Sequence, residues 1–511
     1  MRMQIKKNKV KADRDSLQVL TRLCAYVIRN YRVSCFFVLI FIIISSLATV
    51  ASSLFLKSLI DDYIAPILAS NGPADFGPLF QALCAMAAIY VCGIASTYLY
   101  ARILINVAQG TMKRIRDDLF AHMEKLPIRY FDTHHHGDIM SVYTNDTDTL
   151  RQVISQSIPQ LLSSAITVVS VFLSMCVLSL YLTVIVVVMV IVMKTAMSKI
   201  AGQSAVYFKR QQSDLGVVNG YIEEMYSGHD VVRISRANDR IKEMFRGMNR
   251  AVYEANRKSQ FLSGIMQPLM NVIGNLGYVA VCVLGAALVM NGSIKFGVIT
   301  AFILYVRLFT SPLTTIAQGM TQLQSAAAAG DRVFDFLQEP ELPDESKNLP
   351  APQPVRGEIE FDHVRFSYPD HPEKTIIHDF SAHVAPGQKV AIVGPTGAGK
   401  TTMVNLLMRF YDLDGGDIRI DGISTKDMSR EEVHGLFGMV LQDTWMFEGT
   451  VRENLVYNRT GVSDETLERA CRACGIYHFI ETLPHGFDTV LSENVAISAG
   501  QKQLFTIARA M

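Results

Sequence analysis

The chain has 511 residues, half of them hydrophobic, and a formal net charge of +1 at pH 7. That length allows two or three domains, and a balance so near zero excludes the strongly basic surface that nucleic-acid partners select, so no nucleic acid is expected. The apolar residues gather in long runs, which excludes a wholly soluble protein. The eight cysteines are scattered, and five of them lie in apolar runs as small buried hydrophobes. Cys471-x-x-Cys474, with His478 following, lacks the second pair that a closed four-ligand zinc site needs, and reads as packing.

Residues 1–32 form a basic tail (Lys6, Lys7, Lys9, Lys11, Arg14) and then a helical stripe of Leu20, Leu23, Cys24, Val27 and Ile28. That stripe suits an elbow helix lying on the inner membrane surface. Residues 33–338 form the membrane domain. Val33–Leu54 is long enough to cross about 30 Å of hydrocarbon and too long for a signal-peptide core, so it is read as retained. Further spans follow at Ala82–Val107, Leu161–Leu180, Leu182–Met197, Ile265–Met290 and Phe296–Gly319, six in all. Lys and Arg concentrate in the tail and in segments 108–157 and 198–264, whereas the loop Asp61–Pro78 has none. The basic segments therefore face the cytosol, and so does everything after the sixth span.

The two long segments between spans have few helix breakers and are expected to be helices continuing beyond the membrane. His134, His135 and His136 cannot all point one way and read as a solvated turn. Arg102 and Lys194 lie at cytosolic span ends and can snorkel. Arg307 lies well inside span six. It is a candidate for the substrate path, with snorkelling to the inner headgroups as the equal alternative. Met189, Met193, Met266, Met270 and Met290 are read as ordinary packing residues.

Residues 339–356 carry Pro340, Pro343, Pro350, Pro352 and Pro354 among polar residues and read as a linker. A soluble domain, 357–511, follows. Gly357 to Phe366 alternates as a strand, and Gly415 to Gly422 reads as a short strand between turns. Gly394, Pro395, Thr396, Gly397, Ala398, Gly399, Lys400, Thr401 and Thr402 fit the phosphate-cradling P-loop pattern. The pattern predicts a buried strand over Lys389–Val393 and a helix over Thr402–Phe410, with phosphates at the helix N-terminus. Lys400 would reach the β- and γ-phosphates of ATP, and the Thr401 hydroxyl suits Mg²⁺.

Six spans, a proline-rich linker and a P-loop domain resemble an ABC-type exporter half-transporter along nearly the whole chain. The expected fold is a membrane all-α six-helix domain followed by an α/β P-loop NTPase domain, the latter incomplete. Leu59–Ile64, Leu126–Tyr143 and Asn219–Met225 are similar to family segments, the last two at or beside the coupling helices that touch the nucleotide domain. Phe366-Ser367-Tyr368-Pro369 resembles the segment whose aromatic stacks on adenine, which implies that role for Tyr368. Gln442 resembles the Q-loop glutamine that senses Mg²⁺ and the attacking water. Ile497-Ser498-Ala499-Gly500-Gln501 resembles the signature motif. The resemblance implies that Ser498, Ala499, Gly500 and Gln501 meet ATP held by a second half-transporter, identical or not. It also implies a multi-pass protein of the plasma or inner membrane, moving a small amphiphilic, lipid-like or drug-like substrate out of the cytosol by alternating access amid membrane lipid. The alternative is a catalytically inactive ATP-binding half that serves a complete partner.

Two departures stand out. Ala499 replaces the first glycine of the motif and Ile497 its leucine. The sequence also stops at Met511, before the strand with the Mg²⁺-binding Asp, the catalytic Glu and the switch His, so a fragment of a longer product is expected. A sheet edge beside the P-loop strand should then be unpaired. The helix face of Leu504, Ile507, Ala508 and Met511 should likewise lack a partner surface.

Overall fold

A computed structural model describes residues 18–69, 76–441, 444–457, 459–491 and 497–511. The chain divides into two compact units. The first is built from the chain up to Glu124 and from Gly137–Glu339; the second is built from Lys125–His136 and Pro340–Met511.

In the first unit a helix α1 over 18–30 precedes six helices long and apolar enough to cross a membrane. These are α2 (Arg32–Leu68), α3 (Gly77–Met123), α4 (His136–Leu178), α5 (Leu180–Ser227), α6 (Asn238–Met290) and α7 (Phe296–Phe336). Five of them exceed 40 residues, about twice what hydrocarbon requires, so the connecting segments are largely extensions of the spans. The core joins α4, α5, α6 and α7 through Val171, Met175, Leu182, Val186, Val281, Phe302 and Tyr305, all buried. Lipid offers helices no hydrophobic gain for packing together, so small residues must permit close approach. At Gly285 an added Cβ would lie 2.8 Å from Ile299, and at Gly319 it would lie 2.6 Å from Leu161. Hydroxyl pairs bind across the bundle: Ser46 with Ser163, and Ser204 with Ser263, each at 3.0 Å. The α4–α5 hairpin turns at Ser179, whose extended backbone ends α4 and whose hydroxyl caps α5. Asp61 accepts a bond from the Gly297 N–H at 2.7 Å and so caps α7.

The second unit holds a four-stranded antiparallel sheet in the order β2-β1-β3-β4, with β1 Ile359–Ser367, β2 Thr375–Val384, β3 Gly415–Ile420 and β4 Ile423–Ser424. The alternation in β1 sends Phe361, Val364 and Phe366 into a core with Ile377, Ile418 and Leu406. Asp421 and Gly422, both at positive φ, make the two-residue turn between β3 and β4. Gly416 has φ +78°, and a Cβ there would lie 2.2 Å from the His363 carbonyl oxygen. Gly416→Ala is expected to cost about 2–4 kcal/mol through strain and backbone clash. Thermal melting of the variant checks this, and an unchanged melting temperature would contradict the geometry.

Two expectations need correction. Lys389–Val393 forms no strand. An apolar run becomes a strand only when a neighbouring strand pairs with it. None lies alongside among the described residues, and Val390, Ile392 and Val393 are exposed. The helix over Ala499–Ala510 does have a partner surface. Its buried residues, Phe505 and Ala508, pack on Val451, Leu455, Leu467, Cys471 and Ile480. The covered face is centred on Phe505, a residue outside the expected stripe, and Met511 at the end is exposed.

Candidate nucleotide-binding site

The P-loop runs from Gly394 into a helix over Lys400–Leu407. Gly397 and Gly399 sit at φ +84° and +82°, conformations that glycine alone adopts freely. No atom lies within 4 Å of where a Gly397 Cβ would sit, so the loop is unobstructed at that point. Gly399 faces Ile376 and Ile377 on β2, which lets the helix start close to the sheet. Lys400 Nζ donates to the carbonyl oxygens of Gly394 (2.9 Å) and Pro395 (2.8 Å), so its ammonium lies over the loop. Pro395, Thr396 and Ala398 are exposed on the same turn, as is Thr401 on the first turn of the helix. Thr402 is buried and its hydroxyl meets Tyr368 Oη at 3.0 Å. The arrangement fits a triphosphate: positive-φ glycines, a helix N-terminus and one cation converge on one open concavity.

Tyr368 packs edge-on against Phe366 (5.0 Å between ring centroids) and Tyr411 (5.2 Å). Tyr411 in turn donates to Asp132, in the short helix Ile128–Thr133. Arg129 pairs with Asp370 at 3.6 Å, and the Leu342 N–H donates to the Lys125 carbonyl at 2.9 Å. Segment 125–136 is therefore bonded into the same unit as the P-loop. Burial, with Asp132 beside it, pushes the Tyr411 phenol well above its ordinary value. A raised folded-state value means the stabilisation is present below the ordinary phenol range and is lost as pH rises through the folded value. Tyr411→Phe is expected to cost about 1 kcal/mol and to remove this alkaline dependence. Melting followed from pH 8 upward checks it, and parallel curves for both proteins would contradict it.

The signature segment starts the last helix with a reciprocal cap. The Gln501 N–H donates to Ser498 Oγ (3.3 Å), and the Ser498 N–H donates to Gln501 Oε1 (2.9 Å). Ala499 and Gly500 are exposed on its first turn, with open space at Gly500. Gln442 lies outside the described residues. Arg307 is on the exposed side of α7, opposite the buried Phe302, Tyr305 and Val306. His134 stacks on Tyr130 at 4.1 Å, and His135 and His136 are exposed. Burial pushes the Cys471 thiol up to about 11, which keeps it protonated and unreactive.

Sequence reasoning did not single out Glu345, Arg409 and Arg430. Glu345 accepts from the Arg409 guanidinium (2.9 Å), from the Arg430 N–H (2.7 Å) and from the Arg430 guanidinium. Arg409 and Arg430 were hidden among other basic residues, and Glu345 stands inside a proline-rich stretch. No pattern marks such a trio in advance.

Residues 35–313 match the family model of the ABC transporter transmembrane region, and residues 377–511 match that of the ABC transporter. The chain is 41% identical over 438 residues to a fatty acid ABC transporter ATP-binding/permease protein of Mycobacterium bovis, covering 85% of this chain and 69% of the relative. It is 37% identical over 476 residues to an uncharacterized ABC transporter ATP-binding protein of Bacillus subtilis, covering 93% and 77%. It is 30% identical over 416 residues to an ATP-dependent lipid A-core flippase of Desulfotalea psychrophila, covering 81% and 72%.

Proposed function

The chain belongs to the ABC transporter family, as a six-span membrane region joined to a nucleotide-binding domain, and from that premise we propose that it is one half of a dimeric exporter moving a lipid-like amphiphile by alternating access. Membership makes it a multi-pass membrane protein with a cytosolic ATP-binding domain and the plan of an ATP-driven exporter. The observation that carries the proposal is the bonding of segment 125–136 into the P-loop unit through Tyr411 and Asp132. The segment connects α3 to α4, so a shift at the P-loop unit acts on two spanning helices. Lys400 and the loop N–H groups would hold the phosphates, Tyr368 would stack on the base, and Thr401 would hold Mg²⁺. Bound Mg²⁺ supplies charge neutralisation on the phosphates. Ser498, Ala499, Gly500 and Gln501 would close on ATP carried by the second half. The apolar names of two relatives, fatty acid and lipid A-core, support a lipid-like substrate.

The test is disulfide trapping in membranes with Thr396→Cys and Ser498→Cys in a chain whose eight natural cysteines are replaced. A cross-linked dimer that forms only with ATP and Mg²⁺ is expected. Equal cross-linking without nucleotide, or none with it, would defeat the two-half arrangement.

A further inference from the structure

Arg307 stands eleven residues from Phe296, the outer end of α7. At 1.5 Å per residue that is about 16 Å of helix, against about 15 Å for half the hydrocarbon thickness. Lys295, just before Phe296, suits the outer surface. The guanidinium is thus at mid-depth, farther from either surface than its side chain can bridge, and snorkelling does not serve it. Nor can it shed its charge, because arginine stays protonated in proteins.

The fold gives this charge no partner. The side of α7 that packs against the bundle is apolar, with Phe302, Tyr305 and Phe309 buried, and Arg307 is exposed on the other side. Among the described residues its guanidinium makes no hydrogen bond and no ion pair. The spans 33–54, 82–107, 161–180, 182–197, 265–290 and 296–319 contain no Asp or Glu at all. A second copy of this chain would bring the same spans and a second arginine, which adds to the imbalance. A cation at that depth is costly in hydrocarbon and is kept where it meets water or an anion along a path.

The face around Arg307 suits an anion. Thr300, Ser311 and Thr314 stand seven before, four after and seven after it, on the same side of the helix. The Thr314 hydroxyl returns to the Thr310 carbonyl at 3.4 Å. The Ser311 hydroxyl is exposed, makes no bond among the described residues and is free to donate. A planar guanidinium takes an oxyanion through two parallel N–H bonds, and Ser311, one turn nearer the cytosol, would add a third donor. A neutral head would leave the arginine unpaired, and a cationic head would be repelled.

We infer that Arg307, assisted by Ser311, receives the oxyanion head group of the amphiphile at mid-membrane, so that the cargo carries negative charge. The inference rests on the amphiphile reading above and narrows it.

The test uses the full chain in lipid nanodiscs and three probes with the same dodecyl tail: monododecyl phosphate, dodecylglycerol ether and dodecyltrimethylammonium. Binding above that of empty nanodiscs should favour monododecyl phosphate about tenfold over the glycerol ether, and further still over the cation. Arg307→Gln should weaken monododecyl phosphate about tenfold and leave the glycerol ether unchanged. Arg307→Glu should turn the preference towards dodecyltrimethylammonium, a gain that misfolding does not produce. Inorganic phosphate at the same concentration should not displace the phosphate probe. Equal binding of the three heads, or a phosphate preference that survives Arg307→Gln, would overturn the assignment and leave the amphiphile reading standing. No binding of any probe to the parent would overturn both. Displacement by inorganic phosphate would make this a site for a free anion. Loss of all three probes in both variants would make Arg307 a residue that holds the fold. A change in subunit association with the head preference intact would make it an interface contact. Each of these three results would defeat the inference.

Discussion

Lys400→Ala should abolish ATP binding at physiological nucleotide concentrations. Lys400 is the cation on the open face of the P-loop, with Nζ already among the carbonyls of Gly394 and Pro395. A phosphate would draw that ammonium across a few ångströms. Each charge-assisted bond lost contributes about 1.5–3 kcal/mol, and two such bonds correspond to a loss of about a hundredfold or more. Lys400→Arg should not restore binding, because a planar fork cannot occupy the place of a compact ammonium. Fluorescent-nucleotide titration reads the effect directly. The helix Lys400–Leu407 remains apolar on its buried side through Met403 and Leu406, so the variant should stay folded. Binding within a few-fold of the parent would show that the loop does not hold the phosphates.

Glu345→Ala should destabilise the second unit severely. The carboxylate joins Arg409 and Arg430, whose side chains are only 10% and 13% exposed, and is itself 14% exposed. Removing it leaves two cations short of their shared partner. Breaking one buried pair costs about 3–5 kcal/mol, a large part of the 5–15 kcal/mol typical of a whole domain. Asp412 retains a contact with each arginine, at 3.5 Å and 2.8 Å, and this partial compensation favours the lower end of that range. Thermal unfolding of the intact protein should show the second unit melting about 6–12 °C earlier. A shift of under 2 °C would mean that Asp412 alone suffices.

These two residues differ in how visible they were beforehand. Lys400 stands in a pattern whose chemistry dictates spacing: glycines for positive φ, then a cation, then a hydroxyl. Such local constraints survive in any sequence that binds phosphate this way. The six spans are equally legible, because hydrocarbon thickness imposes length and apolarity on each by itself. Glu345 is different. Its partners lie 64 and 85 positions away, and only the fold brings them together. The Asp132–Tyr411 bond spans 279 positions, so it too is invisible locally. The stretch Lys389–Val393 shows the opposite error. Its composition is that of a core strand, but strand formation depends on neighbours, and composition does not reveal whether they are present. On the last helix, counting apolar residues placed the stripe on Leu504, Ile507, Ala508 and Met511, of which Ala508 is buried and Leu504 packs on the core. The packed face also takes in Phe505, which that count missed, because Leu467, Cys471 and Ile480 approach from its side.

Ser498 with Gln501 three positions on is a readable capping box, and it is formed here. Ser179, which turns the α4–α5 hairpin, sits inside an apolar run with no turn residue beside it to mark the corner.

In the proposed cycle, ATP held at the P-loop drives an amphiphile across the membrane. Its most direct test is uptake of a labelled acyl amphiphile into inside-out membrane vesicles from cells expressing the protein. Uptake should require ATP and Mg²⁺ and disappear in Lys400→Ala at equal protein level. Uptake that proceeds equally without ATP, or persists unchanged in Lys400→Ala, would contradict it.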